Sequence, residues 1–193
     1  MHGLINRAIQ CFVVDSYGTD TWVEATRIAN LGFVEFESML VYDDDVTPQM
    51  LNAVSFVLNR DRNEVMEDIG TYLVSNPNVE ALRRLLRFGG LEFVEFLHSL
   101  DDLPDRARLA VSDLNLPALE LHDCASGQFS LVCQSPIEGY GHVMTTACWR
   151  CWSIPVPGME PKPFRSHWSK PNLPRDARLN WERVPYDRTG TTD

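Results

Sequence analysis

Two cysteines with the spacing Cys-x-x-Cys form the pattern in this sequence that most directly suggests chemistry. Cys148 and Cys151 could bind zinc or exchange a disulfide, since paired thiolates at this spacing do both. His142 and His167 could complete a set of four zinc ligands, although their separation is not that of a zinc finger. The chain has no second cysteine pair, and the tryptophans beside the first pair would crowd a metal. A small zinc or thiol protein that uses Cys148 and Cys151 is therefore one hypothesis.

Other arrangements of reactive side chains give less reason to expect catalysis. No Ser-His-Asp or Cys-His set is recognisable from spacing. The acidic run Asp43 to Asp45 lacks the alternating carboxylates and the glycine of a calcium-binding EF-hand loop, and it is better interpreted as a solvated helix entry. We therefore predict no catalytic residues and no metal ligands, and we expect that the chain is not an enzyme.

Composition and charge narrow the classes of partner and compartment. The chain has 193 residues, 44% of them hydrophobic, which is enough to bury one substantial core. A formal net charge of −10 opposes binding to phosphates, so nucleic acid and anionic membrane surfaces are poor partners. Five cysteines, an odd number, with no secretory signal fit reduced thiols. No apolar run is long enough to span a bilayer, and we expect a cytoplasmic protein.

The elements that must position any site are predicted from hydrophobic periodicity. The strongest apolar stripe runs from Leu91 to Leu100 at helical spacing, and Asp101 and Asp102 then precede Pro104, which indicates a new helix with proline in its first turn. After residue 115 the period changes to two around Ser126-Gly127, which predicts a hairpin. The fold class is α+β, with an N-terminal bundle of about six to seven helices followed by an antiparallel β-hairpin. The predicted helices are a first one from residue 4 that Tyr17-Gly18 ends, then 21–29, 47–58, 63–74, 79–88, 91–100 and a segment that starts at 103–105.

The order of these elements and several residues along them resemble the heme-NO/oxygen-binding (H-NOX) family of gas sensors. The pair Phe96-Leu97, Asp101 and Pro117 stand in register with a family pattern of Phe-Leu, an aspartate-containing turn, the heme-ligating histidine and a later proline. The resemblance extends over residues 1–144. Further positions that match the family are Gly3, Tyr17-Gly18, Trp22 and Gly70.

The resemblance implies a heme cofactor, but the family's heme anchors are substituted in this sequence. The position of the ligating histidine holds Pro104, whose ring has no lone pair to give to iron. The family's Tyr-x-Ser-x-Arg clamp, which holds the heme propionates, falls on Cys133, Ser135 and Ile137. Only the serine is retained, and isoleucine cannot replace a guanidinium that faces two carboxylates. By resemblance, the remaining pocket residues are Ile5, Ile9, Leu73, His98, Pro117 and His142.

Three functional hypotheses follow. The first is a sensory or regulatory domain without heme that acts on a signalling partner; by resemblance the partner is a diguanylate cyclase, a phosphodiesterase or a histidine kinase. The second is a heme-based nitric oxide sensor with a non-standard axial ligand, His98 or His142. At 100° per residue, His98 is turned roughly 240° from the direction of Pro104 on a continuous helix, so it is expected to face elsewhere. The third is the zinc or thiol protein.

The composition changes abruptly near residue 146. Up to Thr145 there are 9 Arg, no Lys and 22 Asp or Glu, a charge of −13, whereas the remaining 48 residues hold 8 basic and 5 acidic groups, or +3. That segment also has four of the five Trp and seven of the twelve Pro. We therefore predict an H-NOX-like domain over 1–146, an irregular or disordered tail over 147–193, and an incomplete C-terminal sheet. Because the segment 147–152 would encode an apolar helical sequence in the adjacent reading frame, we also predict that the tail is frame-shifted.

Overall fold

The structure, a computed structural model, has the α+β architecture that the sequence predicts. It describes residues 1–77, 85–86, 93–114, 116–125, 128–153, 165–167 and 176–182. The predicted helix over 79–88 and the hairpin turn at Ser126-Gly127 lie almost wholly outside the described residues. None of the helices within these ranges is long and apolar enough to cross a membrane.

The helices are α1 (Gly3–Tyr17), α2 (Thr19–Ile28), α3 (Val46–Leu58), α4 (Arg62–Ser75), α5 (Phe93–His98), α6 (Leu103–Ala110) and α7 (Tyr140–Ser153). The strands are β1 (Ala118–Ala125), β2 (Gln128–Gln134), β3 (Arg165–His167) and β4 (Asp176–Glu182).

The first four helices enclose one hydrophobic core, here called the N-terminal core. Their starts and ends follow from local chemistry: the His2 ring accepts a hydrogen bond from the backbone of α1, the Asp61 carboxylate does the same for α4, and Gly18 takes φ +92° where α1 turns into α2. The apolar side chains recur on one face of each helix and are removed from water together. Buried members of this core include Phe12, Trp22, Met50, Leu51, Val54, Val65, Met66 and Ile69.

A second core, here called the C-terminal core, lies between the β-sheet and helices α5, α6 and α7. Alternate residues of β2 face it, as the predicted period of two requires: Phe129, Leu131 and Cys133 are all buried. Burial of a Leu or Phe side chain stabilises the folded state by about 1.5–3 kcal/mol, so this face fixes the register of the strand. The helices contribute Phe96, Leu97, Leu103, Met144, Cys148 and Cys151, and the turn between α5 and α6 contributes Leu100.

Helices α4 and α7 pack so closely that only glycine fits at their contact. A Cβ atom at Gly70 would lie 2.4 Å from the backbone oxygen of Val143 and 3.1 Å from Cβ of Thr146. Both helices contribute to both cores: Ile69 and Val143 belong to the N-terminal core, and Val74 and Met144 belong to the C-terminal core. The two cores therefore share one pair of helices.

The sheet is antiparallel with strand order β1-β2-β4-β3. β1 and β2 form the predicted hairpin, with Leu121 opposite Leu131, and β4 pairs with the other side of β2. β1 is an edge strand, and the carboxylate of Asp101 accepts a hydrogen bond of 3.0 Å from the backbone of Leu121. The turn between α5 and α6 is thereby attached to the edge of the sheet.

The segment after residue 146, predicted to be irregular, contains regular structure where it is described. α7 continues to Ser153, because Ala147, Cys148 and Cys151 extend its apolar face and are buried. β3 and β4 also come from this segment, and they extend the hairpin to four strands. The composition break therefore does not coincide with the end of an element. The division of the chain at 146 and the frame shift both stay predictions.

The contact at Gly70 predicts that Gly70→Ala destabilises the protein. The added methyl group cannot be accommodated against a backbone oxygen at 2.4 Å without moving a helix, and overpacking of this kind costs about 1–3 kcal/mol. This exceeds the gain of about 0.5–1 kcal/mol that alanine brings to a helix interior. Urea denaturation would measure the free energy of unfolding.

The matched control for this change is Glu64→Ala, an exposed position on the same helix. It loses an ion pair with Arg60 at 3.3 Å on the protein surface, which is worth at most about 1 kcal/mol. If Gly70→Ala left the free energy of unfolding unchanged or raised it, the close approach of α4 and α7 would be wrong.

The buried thiols predict a second result. Burial raises the pKa of Cys133 to about 12 from an ordinary value of 9.0, and burial and the neighbouring thiols also raise the pKa of Cys148. At pH 8 we expect Cys133, Cys148 and Cys151 to resist a thiol reagent such as DTNB in the folded protein, whereas the half-buried Cys11 reacts. All five cysteines should react in guanidinium.

The raised pKa of Cys133 also makes the free energy of unfolding depend on pH. A raised pKa in the folded state means that the protonated thiol is favoured there, so its contribution to stability is present below about pH 9 and is lost as the pH rises towards 12. The free energy of unfolding measured between pH 8 and pH 11 should fall. Labelling of Cys148 or Cys151 as fast as Cys11 at pH 8 would contradict the burial of this pair.

Candidate functional site

A cavity of about 520 Å³ lies between the start of α1, the start of α6 and the loop that joins β2 to α7. Volumes of about 300–1,000 Å³ are typical of sites for small molecules. Half of the ten site residues predicted from the sequence line it: Ile5, Pro104, Pro117, Ser135 and Ile137. Other lining residues are Met1, His2, Val41, Asp44, Arg108, Asp113, Leu116, Ala118, Gln134, Pro136 and Tyr140.

Pro104 is buried in the first turn of α6, as predicted, and it forms part of the cavity wall. Proline fits there because the first backbone nitrogens of a helix have no carbonyl partner within it. The turn is stabilised by a hydrogen bond from the backbone of Leu103 to Leu100. The position at which the family places its iron ligand therefore presents an apolar ring to the cavity.

The three clamp positions have different surroundings: Cys133 is on β2, whereas Ser135 and Ile137 follow the end of that strand. Cys133 faces the C-terminal core and does not line the cavity. The Ser135 hydroxyl lines the cavity but accepts a hydrogen bond of 3.1 Å from the backbone of Ile137. Ile137 is buried against the N-terminal core. These residues offer no positive charge to a carboxylate.

The other four predicted pocket residues do not line this cavity. Ile9 is buried in the N-terminal core, and Leu73 packs against the same core. His98 is exposed on α5, in agreement with the direction expected from its spacing to Pro104. His142 is mostly buried, and its Nδ1 lies 3.0 Å from a carboxylate oxygen of Glu67 on α4. His98 and His142 therefore lie outside the space where an axial ligand would be needed.

His2 is a cavity residue that sequence reasoning did not identify. Its side chain is 2% exposed, and its Nδ1 accepts a hydrogen bond of 3.1 Å from the backbone of Leu4 at the start of α1. With Nδ1 acting as an acceptor, the proton of the neutral ring is on Nε2. Nε2 is buried without a hydrogen-bond partner, although a carboxylate oxygen of Asp113 lies 3.4 Å away. No local sequence signal indicates this arrangement, because it depends on a contact between distant segments.

The positively charged groups that line the cavity are each paired with a carboxylate. The ammonium of Met1 lies 2.8 Å from Asp44 and also donates to the backbone of Tyr42. The guanidinium of Arg108 lies 2.6 Å from Asp105. Each of these cations already has a carboxylate partner, so neither is free to hold an additional anion.

The lining residues do not fit a heme bound in the manner of the family. Among the lining residues that could ligate iron, His2 has its Nδ1 engaged as a hydrogen-bond acceptor, and its Nε2 is fully buried. Burial and the nearby Cys133 raise the pKa of Tyr140, which keeps it a phenol. The thioether of Met1 is a weak ligand that in cytochromes c acts opposite a histidine. With the clamp arginine replaced by Ile137, both the iron and the propionates lack their partners.

The Cys-x-x-Cys pair is buried within the C-terminal core. The raised pKa of Cys148 keeps its thiol protonated at neutral pH, whereas metal binding and nucleophilic attack need the thiolate. Among the residues that the structure describes, no three His, Cys, Asp or Glu side chains are arranged to hold a metal ion. The side chain of His167 is not among them. The pair packs as apolar residues do, which gives the zinc or thiol hypothesis no support.

Comparisons with known proteins agree with the helix order and the hairpin. "Soluble guanylate cyclase gcy-31" of Caenorhabditis elegans is 25% identical over 143 residues, which is 74% of this chain and 20% of that protein. "Soluble guanylate cyclase 89Db" of Drosophila melanogaster is 22% identical over 121 residues, 63% of this chain and 18% of that protein. The chain thus spans about a fifth of the length of these relatives.

Solved structures show the same fold at low sequence identity. An H-NOX protein from S. oneidensis, solved in the Fe(II)NO ligation state, matches with a TM-score of 0.72 and 14% identity, over 95% of this chain and 100% of that one. A family model described as "Haem-NO-binding" matches residues 2–148, which include α1 to α6, the hairpin, the cavity wall at Pro104 and the first half of α7. On this match, the chain belongs to the haem-NO-binding (H-NOX) family.

Proposed function

We propose that this chain is a sensory or regulatory domain that acts on a signalling partner and does so without heme of its own. The observation that carries the proposal is the pair of substitutions on the cavity wall: Pro104 at the family's ligand position and Ile137 at the clamp arginine. The scaffold and the cavity are retained, while the iron ligand and the propionate partner are both absent. Such a domain keeps the family fold for contact with an effector, while its cavity no longer has the residues that would hold heme.

The charge distribution supports a partner with a basic surface. Up to Thr145 the chain carries −13, and a potential of one sign speeds encounter with a surface of the opposite sign. The names of the curated relatives, of which the matched region covers about a fifth, refer to guanylate cyclases. By family resemblance we propose a diguanylate cyclase, a phosphodiesterase or a histidine kinase as the partner, in cyclic-di-GMP or two-component signalling in the cytoplasm.

The described contacts connect the cavity wall to the edge of the sheet. Pro104 forms part of the cavity wall and lies three residues after Asp101, whose carboxylate is bonded to the edge strand β1 at Leu121. A molecule that displaced the first turn of α6 would therefore change the position of the turn that is attached to the sheet. We propose this turn as the element whose position the partner detects.

Titration with hemin tests the proposal. The wild-type protein should give no sharp Soret band that survives gel filtration, because neither iron nor propionate finds a partner. The double substitution Pro104→His with Ile137→Arg restores both anchors, and we expect this variant to bind hemin in a one-to-one ratio with a sharp band. Pro104→His alone should fold, since position 104 lies in the first turn of α6, but should bind hemin more weakly than the double variant.

A stoichiometric Soret band in the wild-type protein that persists through gel filtration would contradict the heme-free proposal. His98→Ala and His142→Ala would then identify the ligand, because the band should shift in whichever variant has lost it. His122→Ala is the matched control, since His122 is exposed on β1 and does not line the cavity.

The partner proposal predicts salt-sensitive binding to a signalling enzyme. Proteins encoded beside this chain's reading frame are the first candidates, and calorimetry at 50 mM and 300 mM NaCl would measure their affinity. We expect an affinity that falls about tenfold or more at the higher salt, because attraction between exposed opposite charges is screened. Binding that is insensitive to salt would contradict a partner chosen by charge.

A further inference from the structure

We infer that the segment before α3 is the surface on which the signalling partner docks, and that it binds a basic segment of that partner which also carries large apolar side chains. This surface, here called the 33–45 surface, consists of residues 33–45, between the end of α2 and the start of α3. The inference rests on the proposed function, because it names the place and the chemistry of contact for the partner proposed above.

The first part of the argument is the apolar character of the 33–45 surface. Among the described residues, ten large hydrophobic side chains are exposed, and five of them belong to this short segment. The most exposed of the five are Met39, Leu40 and Val41, at 67%, 54% and 73%, and the others are Phe33 and Val34. Large apolar groups that are concentrated in this way and bordered by polar groups are typical of surfaces that bind another protein.

The second part is the way in which the segment is held. Phe36 is buried, and its ring centroid lies 6.1 Å from that of Trp22 and 4.9 Å from that of Tyr42. The backbone oxygen of Leu40 accepts a hydrogen bond of 2.7 Å from the backbone of Gly3. The exposed side chains are therefore presented by a backbone that is attached to the N-terminal core and to α1. A partner that binds them does not have to order the segment first.

The third part is the charge of the segment, which selects the occupant. Five carboxylates are exposed on the 33–45 surface, and no Lys, Arg or His occurs at any position from 28 to 59. Among the described residues, one of the five, Asp44, has a cationic partner, the ammonium of Met1 at 2.8 Å. The other four carboxylates are Glu35, Glu37, Asp43 and Asp45. This combination matches a partner segment in which Lys or Arg accompanies apolar side chains.

The same charge disfavours two other occupants of the surface. A second copy of this chain would place one acidic surface against another, and like charges across an interface repel. An anionic membrane surface is repelled for the same reason, since such surfaces attract basic segments. A basic segment of another protein is therefore the occupant that the observations favour.

The 33–45 surface also borders the cavity. Val41 and Asp44 line the cavity together with Pro104. The backbone of Tyr42 donates a hydrogen bond of 2.9 Å to the backbone oxygen of Met1, another lining residue. A partner that docks on this surface is therefore in contact with residues of the cavity wall.

Three synthetic peptides of about 14 residues, or four helical turns, test the inference on the full 193-residue chain. The first combines lysine and leucine, the second has alanine in place of each leucine, and the third has glutamate in place of each lysine. We expect the lysine–leucine peptide to bind about tenfold tighter than the lysine–alanine peptide, which cannot cover the apolar side chains, and the glutamate–leucine peptide to bind most weakly. Fluorescence anisotropy of labelled peptides would measure the affinities.

Substitution of two exposed apolar residues assigns the apolar contact. Met39→Ser with Leu40→Ser should bind the lysine–leucine peptide about tenfold more weakly than the wild-type protein. This variant should fold, because both side chains are exposed and Leu40 bonds to Gly3 through its backbone oxygen. The matched control is Phe56→Ser, at a side chain that is 74% exposed and lies about 15 Å along α3 from the start of that helix. It should leave the affinity unchanged.

Removal of two carboxylates assigns the charge and provides a second test if the serine variant does not fold. Glu37→Gln with Asp43→Asn should weaken binding of the lysine–leucine peptide about threefold or more at low salt. The matched control is Glu24→Gln with Glu64→Gln, which changes the net charge equally but on α2 and α4. Its affinity should stay within about twofold of the wild-type value.

Several results would overturn the inference. They are equal affinity of the wild-type protein for the lysine–leucine and lysine–alanine peptides, binding of none of the peptides, and unchanged affinity in either folded double variant of the 33–45 surface. A dimer in sedimentation velocity, or binding to phosphatidylserine vesicles, that Met39→Ser with Leu40→Ser abolishes would also overturn it, because another occupant would then cover the surface.

These outcomes are distinguishable from failure of the proposed function. A stoichiometric Soret band with hemin would overturn the heme-free proposal and leave the peptide affinities as they are, since the peptides report on the 33–45 surface. Loss of peptide binding in both double variants, but not in Phe56→Ser or in Glu24→Gln with Glu64→Gln, would support the docking surface.

Discussion

The contact between the backbones of α4 and α7 at Gly70 is the constraint on which the rest of the structure depends. Because a side chain at this position would meet the oxygen of Val143 at 2.4 Å, the two helices approach at a distance that only hydrogen permits. The same two helices contribute residues to both hydrophobic cores. The starts of α1 and α6 are therefore held by cores that share one pair of helices, and the cavity between them is bounded by elements that cannot move independently.

The parts of this fold that could be predicted are those whose signal is local. Helical spacing, proline in the first turn of α6 and alternation along β2 each depend on neighbouring residues, and the structure agrees with them. Five of the sixteen residues that line the cavity were also accessible, because the resemblance to the family aligned them in chain order. His2 was not accessible, since its role depends on Asp113, more than a hundred residues later. The pairing of β4 with β2 is non-local in the same way, and a composition rich in proline and tryptophan concealed it.

By the family resemblance, the cavity lies at the position of the family's heme site and differs from it in chemistry. By resemblance, the positions of a clamp that requires a free guanidinium are held here by Ser135 and Ile137, and the hydroxyl oxygen of Ser135 accepts a hydrogen bond from the backbone N–H of Ile137. The cations nearby are already neutralised by carboxylates. The family resemblance thus indicates where to look for a ligand site, whereas the local residues decide what such a site could accept.

The hydrogen bond between Asp101 and the backbone of Leu121 also bears on how the protein behaves at high concentration. The outer edge of β1 would otherwise offer unpaired backbone donors to a strand from another molecule, which is how sheets grow into aggregates. Asp101 occupies one of these donors and places a negative charge against the edge. A second chain that approached in strand conformation would have to displace this carboxylate from its donor and leave it beside a forming sheet. A residue that matches the family pattern at a helical turn thereby also disfavours edge-to-edge pairing between copies of the chain.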